Sequence, residues 1–224
     1  MLDQLKIGKK YSFDDFGASM AKREIKPPMK KSIKETVPFS NVAYDFSAIN
    51  GEVYWEEREL IYTFEIIADN PADLERKKAA FSNWIMNVMG EEIFDPYEPE
   101  FHYVGTFEGM DYSDEDCVEK TTATVTFSAY PYKVANNESV YAFIIPANAG
   151  LAVNVSNASG HKITPEVTCT YGVTIKKGGT NYDFPAGTAK DSVFALAMGE
   201  NTLFIENSEN AVCTVKIAFY REVL

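Results

Sequence analysis

The chain has two histidines, His102 and His161, and neither lies in a G-x-S-x-G context. A Ser-His-Asp or Cys-His arrangement would therefore need a lone base and an unsignalled nucleophile. Both histidines read as strand or surface residues. Glycan hydrolysis needs two carboxylates facing one cleft, and Glu56, Glu57, Glu59, Glu91, Glu92 and Asp95 offer candidates by abundance alone. With 33 acidic residues, chance pairs are guaranteed, so abundance does not stand in for geometry. The run Asp111 to Asp116 has the look of a calcium loop. However, Asp116 stands where the sharp turn wants Gly and Thr122 where the bidentate Glu belongs, which leaves a solvated hairpin tip. There is no Walker A pattern and no G-x-G-x-x-G, and Gly8-Lys9-Lys10 lacks the preceding phosphate loop. Three cysteines and two histidines furnish neither a zinc site nor a disulfide framework. The sequence thus indicates no catalytic residue, no cofactor site and no metal site.

One binding chemistry stays open. A β-rich C-terminal part with Tyr171, Tyr182 and Phe184 on one side would give sugars a stacking face, although both tryptophans, Trp55 and Trp84, lie elsewhere. The patterns Asn137-Glu-Ser139, Asn154-Val-Ser156 and Asn157-Ala-Ser159 match glycosylation acceptors but mean little without a secretion signal.

The 224 residues suit one long domain or two compact ones, and 46% hydrophobic with 24% charged residues is the composition of a folded chain. The formal charge of −12 disfavours a nucleic-acid partner, because phosphate neutralisation needs surplus Lys and Arg. No stretch approaches the roughly 18 apolar residues of a membrane span, and residues 1–10 contain no apolar leader core. Membrane insertion is not expected, and the chain reads as made and kept in the cytosol.

Charge is unevenly placed. The first 34 residues hold nine basic side chains against four acidic ones, and the remainder holds 12 basic against 29 acidic. Opposite ends of two copies could therefore attract across a subunit boundary. The segment from Lys22 to Lys34 carries Lys22, Arg23, Lys26, Lys30, Lys31 and Lys34, and Pro27-Pro28 resists helix and central-strand pairing. It reads as an extended inter-subunit arm lying on an acidic neighbour.

Among the elements that would position these groups, one helix is clear. Asn70 caps it, Pro71 occupies the first turn, Leu74, Phe81, Trp84, Ile85 and Val88 recur at helical spacing, and Gly90 supplies the stop. Leu60 to Ala68, Phe101 to Phe107 and Thr121 to Ala129 alternate as strands, giving an antiparallel β-domain with a single packed helix. Tyr130-Pro131-Tyr132 followed by the polar run Asn136 to Ser139 marks a boundary, so domains of 1–135 and 136–224 are expected. Beyond it come short apolar runs: Tyr141 to Ile145, Leu151 to Val155, Val167 to Ile175, Tyr182 to Phe184, Val193 to Ala197, Leu203 to Ile205 and Val212 to Tyr220. About eight strands at that spacing imply a β-sandwich. Cys169 and Cys213 fall on core faces as small fillers rather than as a disulfide.

The order of these segments resembles the distal tail protein family (Dit) of long-tailed, siphovirus-type bacteriophages and prophages of Gram-positive bacteria. The likeness runs through Val37-Pro38, Tyr44-Asp45-Phe46-Ser47, Gly51-Glu52, Tyr54 to Arg58, the Asn83-Trp84-Ile85 helix and Phe94-Asp95-Pro96. It continues through Phe127-Ser-Ala-Tyr-Pro-Tyr132, Gly199-Glu200-Asn201-Thr202-Leu203 and the terminal Phe219-Tyr220-Arg221-Glu222. Phe39 departs from the family pattern, where many relatives carry Gly after the Val-Pro pair. The resemblance implies an N-terminal ring-forming tail domain and a C-terminal galectin-like sandwich. It also implies a homo-hexameric ring below the tail tube that joins the tube protein to a tail-associated lysin or hub protein and holds baseplate or receptor-binding proteins. No catalysis and no cofactor are implied; the place is the virion tail tip, assembled in the host cytoplasm. A carbohydrate-binding module for cell-wall glycans and a glycan hydrolase are the competing classes.

Overall fold

A computed structural model describes residues 3–36, 39, 41, 43–47, 53–114 and 119–224. The chain divides into two compact units, residues 1–133 and 134–223. Val37-Pro38, Gly51-Glu52 and the Glu115-Asp116 end of the acidic run lie outside the described residues.

The first unit contains β1 (Lys6–Ile7), β2 (Lys10–Tyr11), α1 (Ser12–Phe16), β3 (Ala18–Ile25), β4 (Lys34–Thr36) and β5 (Ala43–Asp45). It continues with β6 (Arg58–Ile67), α2 (Pro71–Ile85), β7 (Glu91–Phe94), β8 (Phe101–Asp114) and β9 (Lys120–Ala129). Seven strands join edge to edge in the order β3-β6-β9-β8-β7-β1-β2. The β6/β9 pair is continuous from Arg58↔Ala129 to Ile67↔Lys120. Strict alternation places Leu60, Tyr62, Phe64 and Ile66 of β6 and Ala123, Val125 and Phe127 of β9 in one core.

The helix begins where its cap signals put it: Asn70 Oδ1 accepts the Asp73 amide at 2.9 Å, with Pro71 in the first turn. Leu74, Phe81 and Ile85 are buried, and the Phe81 ring meets Phe64 edge-on at 5.2 Å. The helix stops at Ile85, short of Gly90. Val88 turns inward and its carbonyl accepts the Phe107 amide at 2.9 Å, so the sheet takes the residues that helical periodicity would have kept. The single-turn α1, absent from the sequence expectation, ends on Gly17 at φ 68 and brings Phe16 to stack on Trp84 at 4.5 Å.

The second unit has two four-stranded sheets. Its strands are β10 (Lys133–Ile145), β11 (Ala149–Asn157), β12 (Glu166–Cys169), β13 (Val173–Lys177), β14 (Thr180–Phe184), β15 (Gly187–Ala189), β16 (Gly199–Asn207) and β17 (Cys213–Val223). The orders are β15-β12-β17-β10 and β11-β16-β13-β14. Inward-facing residues such as Val155, Val167, Ile175, Leu203 and Ile217 form one apolar cluster.

Three particulars differ from the expectation. The polar run Asn136 to Ser139 lies inside β10 rather than in a loop. Val167 to Ile175 breaks at Gly172 into β12 and β13, which belong to different sheets. Val193 to Ala197 is irregular, held by an isolated bridge between Ile163 and Leu196 while Phe194 and Leu196 fill the core. Buried asparagines secure strand ends by replacing missing backbone partners. Asn201, which opens β16, accepts from Ala197 N and donates to Ala197 O, both at 2.8 Å. Asn157 donates to His161 O at 2.9 Å and Leu196 O at 3.1 Å. Cys169 and Cys213 are buried free thiols, and burial raises the Cys169 thiol to about 11.

Candidate assembly surface

Strands β3 and β6 are direct neighbours, Ile25 opposite Leu60, yet residues 26–57 lie between them in sequence. This excursion is closed at its root by Lys26 N donating to Glu59 O at 3.0 Å and by the Lys26–Glu59 ion pair at 2.8 Å. Further out, Glu56 N donates to Met29 O and Lys31 N to Tyr54 O, each at 2.8 Å, with a bridge between Lys30 and Trp55. Beyond these, β4 pairs with β5, and the Ser47 hydroxyl accepts the Ile33 amide at 2.9 Å. Ser47 in turn donates its amide to Asp45 at 2.9 Å, and these Ser47 bonds hold the Asp45 carboxyl below its usual range.

The described residues of the excursion give no apolar side chain to the core of the unit. Met29, Ile33, Tyr44, Phe46, Val53 and Tyr54 are exposed instead, Met29 to 73% and Tyr44 to 55%. Tyr44 and Phe46 stack at 6.5 Å on one another. A two-stranded ribbon is marginal in water by itself, and an apolar surface collected on one marks a contact with something else. Phe39, the departure from the family pattern, takes φ 65, the left-handed region that suits glycine.

These positions narrow the arm expected from Lys22 to Lys34. Lys22 and Arg23 belong to β3, paired with Thr63 and Tyr62 across the ladder, so they are part of the sheet and not of a free arm. Lys26 is held by Glu59. Lys30, Lys31 and Lys34 are exposed and make no ion pair among the described residues. The apolar side chains of the ribbon were not singled out by sequence, because spacing alone does not separate them from core positions.

Arg23 instead anchors a network at the β3 edge of the sheet. Its Nε lies 2.9 Å from Asp95 Oδ2, without hydrogen-bond alignment, and its Nη2 donates to Glu98 Oε1 at 2.9 Å. Lys133 Nζ reaches Glu98 Oε2 at 2.6 Å, Tyr103 OH donates to Glu98 Oε1 at 2.8 Å and Tyr62 OH to Asp95 Oδ2 at 3.1 Å. Burial pushes the Asp95 carboxyl up. At Glu98 burial pushes the same way but is outweighed by Lys133, Tyr103 and Arg23, so its carboxyl sits below the usual range. Burial also lowers the Arg58 guanidinium, whose Nε donates to Pro131 O at 2.8 Å. This network pairs buried charges and ties strands together, with Arg23 Nε and Arg58 Nη2 left without a hydrogen bond among the described residues.

Of the carboxylates offered for glycan hydrolysis, Glu57 and Glu59 share one open groove and the other four lie apart from it. Glu56, Glu91 and Glu92 are exposed, and Asp95 is committed to Arg23. Glu57 and Glu59 line an open groove of about 440 Å³ with Glu108, Thr126 and Ser128, where Glu57 accepts from the Ser128 hydroxyl and Glu59 from Lys26. His102 lies 3.9 Å from Glu92, and His161 lies 3.2 Å from Glu222. The sugar-stacking face does not form: Phe184 is buried, and it and Tyr182 both turn onto Phe194, at 5.3 and 5.0 Å. Among the described residues no cluster of three or more His, Cys, Asp or Glu is placed to hold a metal, and no helix is long and apolar enough to cross a membrane.

The architecture is an antiparallel sheet with packed helices followed by a two-sheet sandwich, a fold found in a solved phage protein. In particular, the chain shares its fold with the SPP1 Dit protein (gp 19.1), described as a paradigm of the hub adsorption apparatus in phages infecting Gram-positive bacteria. The match covers 100% of both chains at a TM-score of 0.71 and 14% identity. A component of the phage p2 baseplate aligns over 98% of both chains at a TM-score of 0.43 and 9% identity. No family model matches the sequence, and no curated protein matches it.

Proposed function

We propose that the protein is a structural tail-tip component of a long-tailed phage or prophage. Six copies would form a ring that joins the tail tube to the tail-associated lysin or hub protein and holds baseplate or receptor-binding proteins. The observation that carries this reading is the full-length fold shared with SPP1 Dit. The ribbon at 26–57 supports it: among its described residues none gives an apolar side chain to the core, Ile33, Tyr44 and Phe46 are exposed, and Lys30, Lys31 and Lys34 make no ion pair among the described residues of a chain whose remainder is acidic. A ring needs head-to-tail contacts between unlike surfaces, and an apolar, basic ribbon seated on the neighbouring subunit is such a contact. The protein then works by holding its neighbours and transforms no substrate. Its place is the virion tail tip, with assembly in the host cytoplasm.

Light scattering on the purified chain tests the reading, with six times 25.1 kDa as the expected mass and a six-lobed annulus in negative stain. Ile33→Asp with Tyr44→Asp should abolish that species and leave the melting temperature within about 2 °C, since neither residue is in the core. Rings that persist in this double variant would remove the ribbon from the reading. A chain that stays monomeric at every concentration and with its partner proteins would remove the ring.

A further inference from the structure

The second unit carries an unprotected sheet edge. β11 lies at the end of the β11-β16-β13-β14 sheet and pairs only with β16, in an unbroken register from Ala149↔Asn207 to Asn157↔Gly199. Among the described residues no strand pairs with its other side, which leaves a row of outward-facing backbone groups. Folded proteins blunt such edges with charge, proline, bulges or brevity, because an open edge is a template for another strand. The other edges show these devices. β3 carries Lys22, Arg23 and Glu24 and a bulge between Met20 and Lys22, β14 is 5 residues long with Asp183 in it, and β15 has only 3. β11 has none: it is 9 residues long, without a charged residue, a proline or a register shift. It lies within the longest charge-free stretch of the chain, Ser139 to Gly160. Gly150, Leu151, Ala152 and Asn154 along it are exposed.

We propose that β11 pairs antiparallel with β11 of a second copy, making one eight-stranded sheet from two four-stranded ones. Charge selects this occupant. Two chains of net charge −12 repel over most of their surfaces, and an edge without ionised side chains is where identical copies approach at least cost. The strand is also self-complementary. With a two-fold axis at Val153, Leu151 faces Val155 of the second copy on the core side, and on the other side Ala152 faces Asn154 and Gly150 faces Ser156. Every pair is uncharged. This contact uses no residue of the ribbon and goes beyond the ring reading: it doubles whatever assembly the rest of the chain makes.

Sedimentation of the full chain over a concentration series tests it, with Ala152→Lys as the variant, since Ala152 is exposed and its loss leaves the core intact. Doubling of particle mass with concentration is expected for the native chain, and Ala152→Lys should weaken it about tenfold or more. Hydrogen exchange supplies a readout that needs no variant: amides of 149–157 should be slower to exchange in concentrated than in dilute solution. Absence of doubling with concentration-independent exchange overturns the proposal, and so does doubling that Ala152→Lys leaves unchanged. Failure of the ring reading looks different, a monomer that becomes a dimer in place of a ring that becomes a pair of rings.

Discussion

Glu98→Gln isolates the network that Arg23 anchors. Glu98 accepts from Arg23 at 2.9 Å, Lys133 at 2.6 Å and Tyr103 at 2.8 Å, and its side chain is 21% exposed. Glutamine keeps the shape but removes the charge and presents amide hydrogens to two cations. Hydrogen bonds to charged groups are worth about 1.5–3 kcal/mol each, and breaking a buried pair costs about 3–5. Arg23 and Lys133 keep 26% and 20% of their side-chain surface in water, which places the net loss at the low end, about 2–3 kcal/mol. Both tryptophans, Trp55 and Trp84, lie in the first unit, so fluorescence in a urea titration reports on that unit, and its midpoint should fall by about 1 M.

The pH dependence gives the sharper test. Because the folded Glu98 carboxyl lies below its usual range, its contribution is fully present above the unfolded value and is lost as pH falls through the folded one. The gap between native and variant should therefore shrink toward pH 3. Asp95 works in the opposite direction: burial makes the folded state take up its proton more readily, so acid favours folding through this group. An equal loss at pH 7 and pH 3 would refute the assignment of Glu98 as the ionised centre of the network.

Three further outcomes follow from packing and hydrogen bonding. Gly105→Ala sets a methyl 2.8 Å from the fully buried Ile93 Cδ1 and should cost about 1–3 kcal/mol by tryptophan fluorescence. Gly150→Ala meets only the edge of the partly exposed Phe204 ring, which can swing outward, so calorimetry of the second unit should register less than about 1 kcal/mol. Asn201→Ala removes the side chain that holds the Ala197 amide and carbonyl; because Ala197 is exposed and water can replace the lost partner, the cost should be about 1–2 kcal/mol in the same calorimetric transition.

What could be read along the chain depended on whether the cause was local. The helix start was legible because Asn70 and Pro71 act on the turn they begin, and β6 and β9 because a half-buried strand writes its alternation into sequence. The helix end was not, since Val88 leaves the helix to meet Phe107 in another strand. The split of Val167 to Ile175 was hidden because the alternation continues through Gly172 while the two halves enter opposite sheets. Arg23 looked like a free cation for a similar reason: its acceptor Glu98 is 75 positions away. The basic character of the ribbon was visible as composition. Its apolar side chains were not, because a surface awaiting a partner and a core use the same residues.

The ladder that closes at Lys26 and Glu59 separates inheritance of the fold from inheritance of the contact. The segment 27–56 could be shortened, lengthened or exchanged for the same region of a relative without rethreading β3 or β6, the latter pairing with β9 from Arg58 onward. Chimaeras joined at that root would exchange the exposed surface of the ribbon while keeping the scaffold, and under the proposed ring reading they are the units with which to transplant assembly specificity.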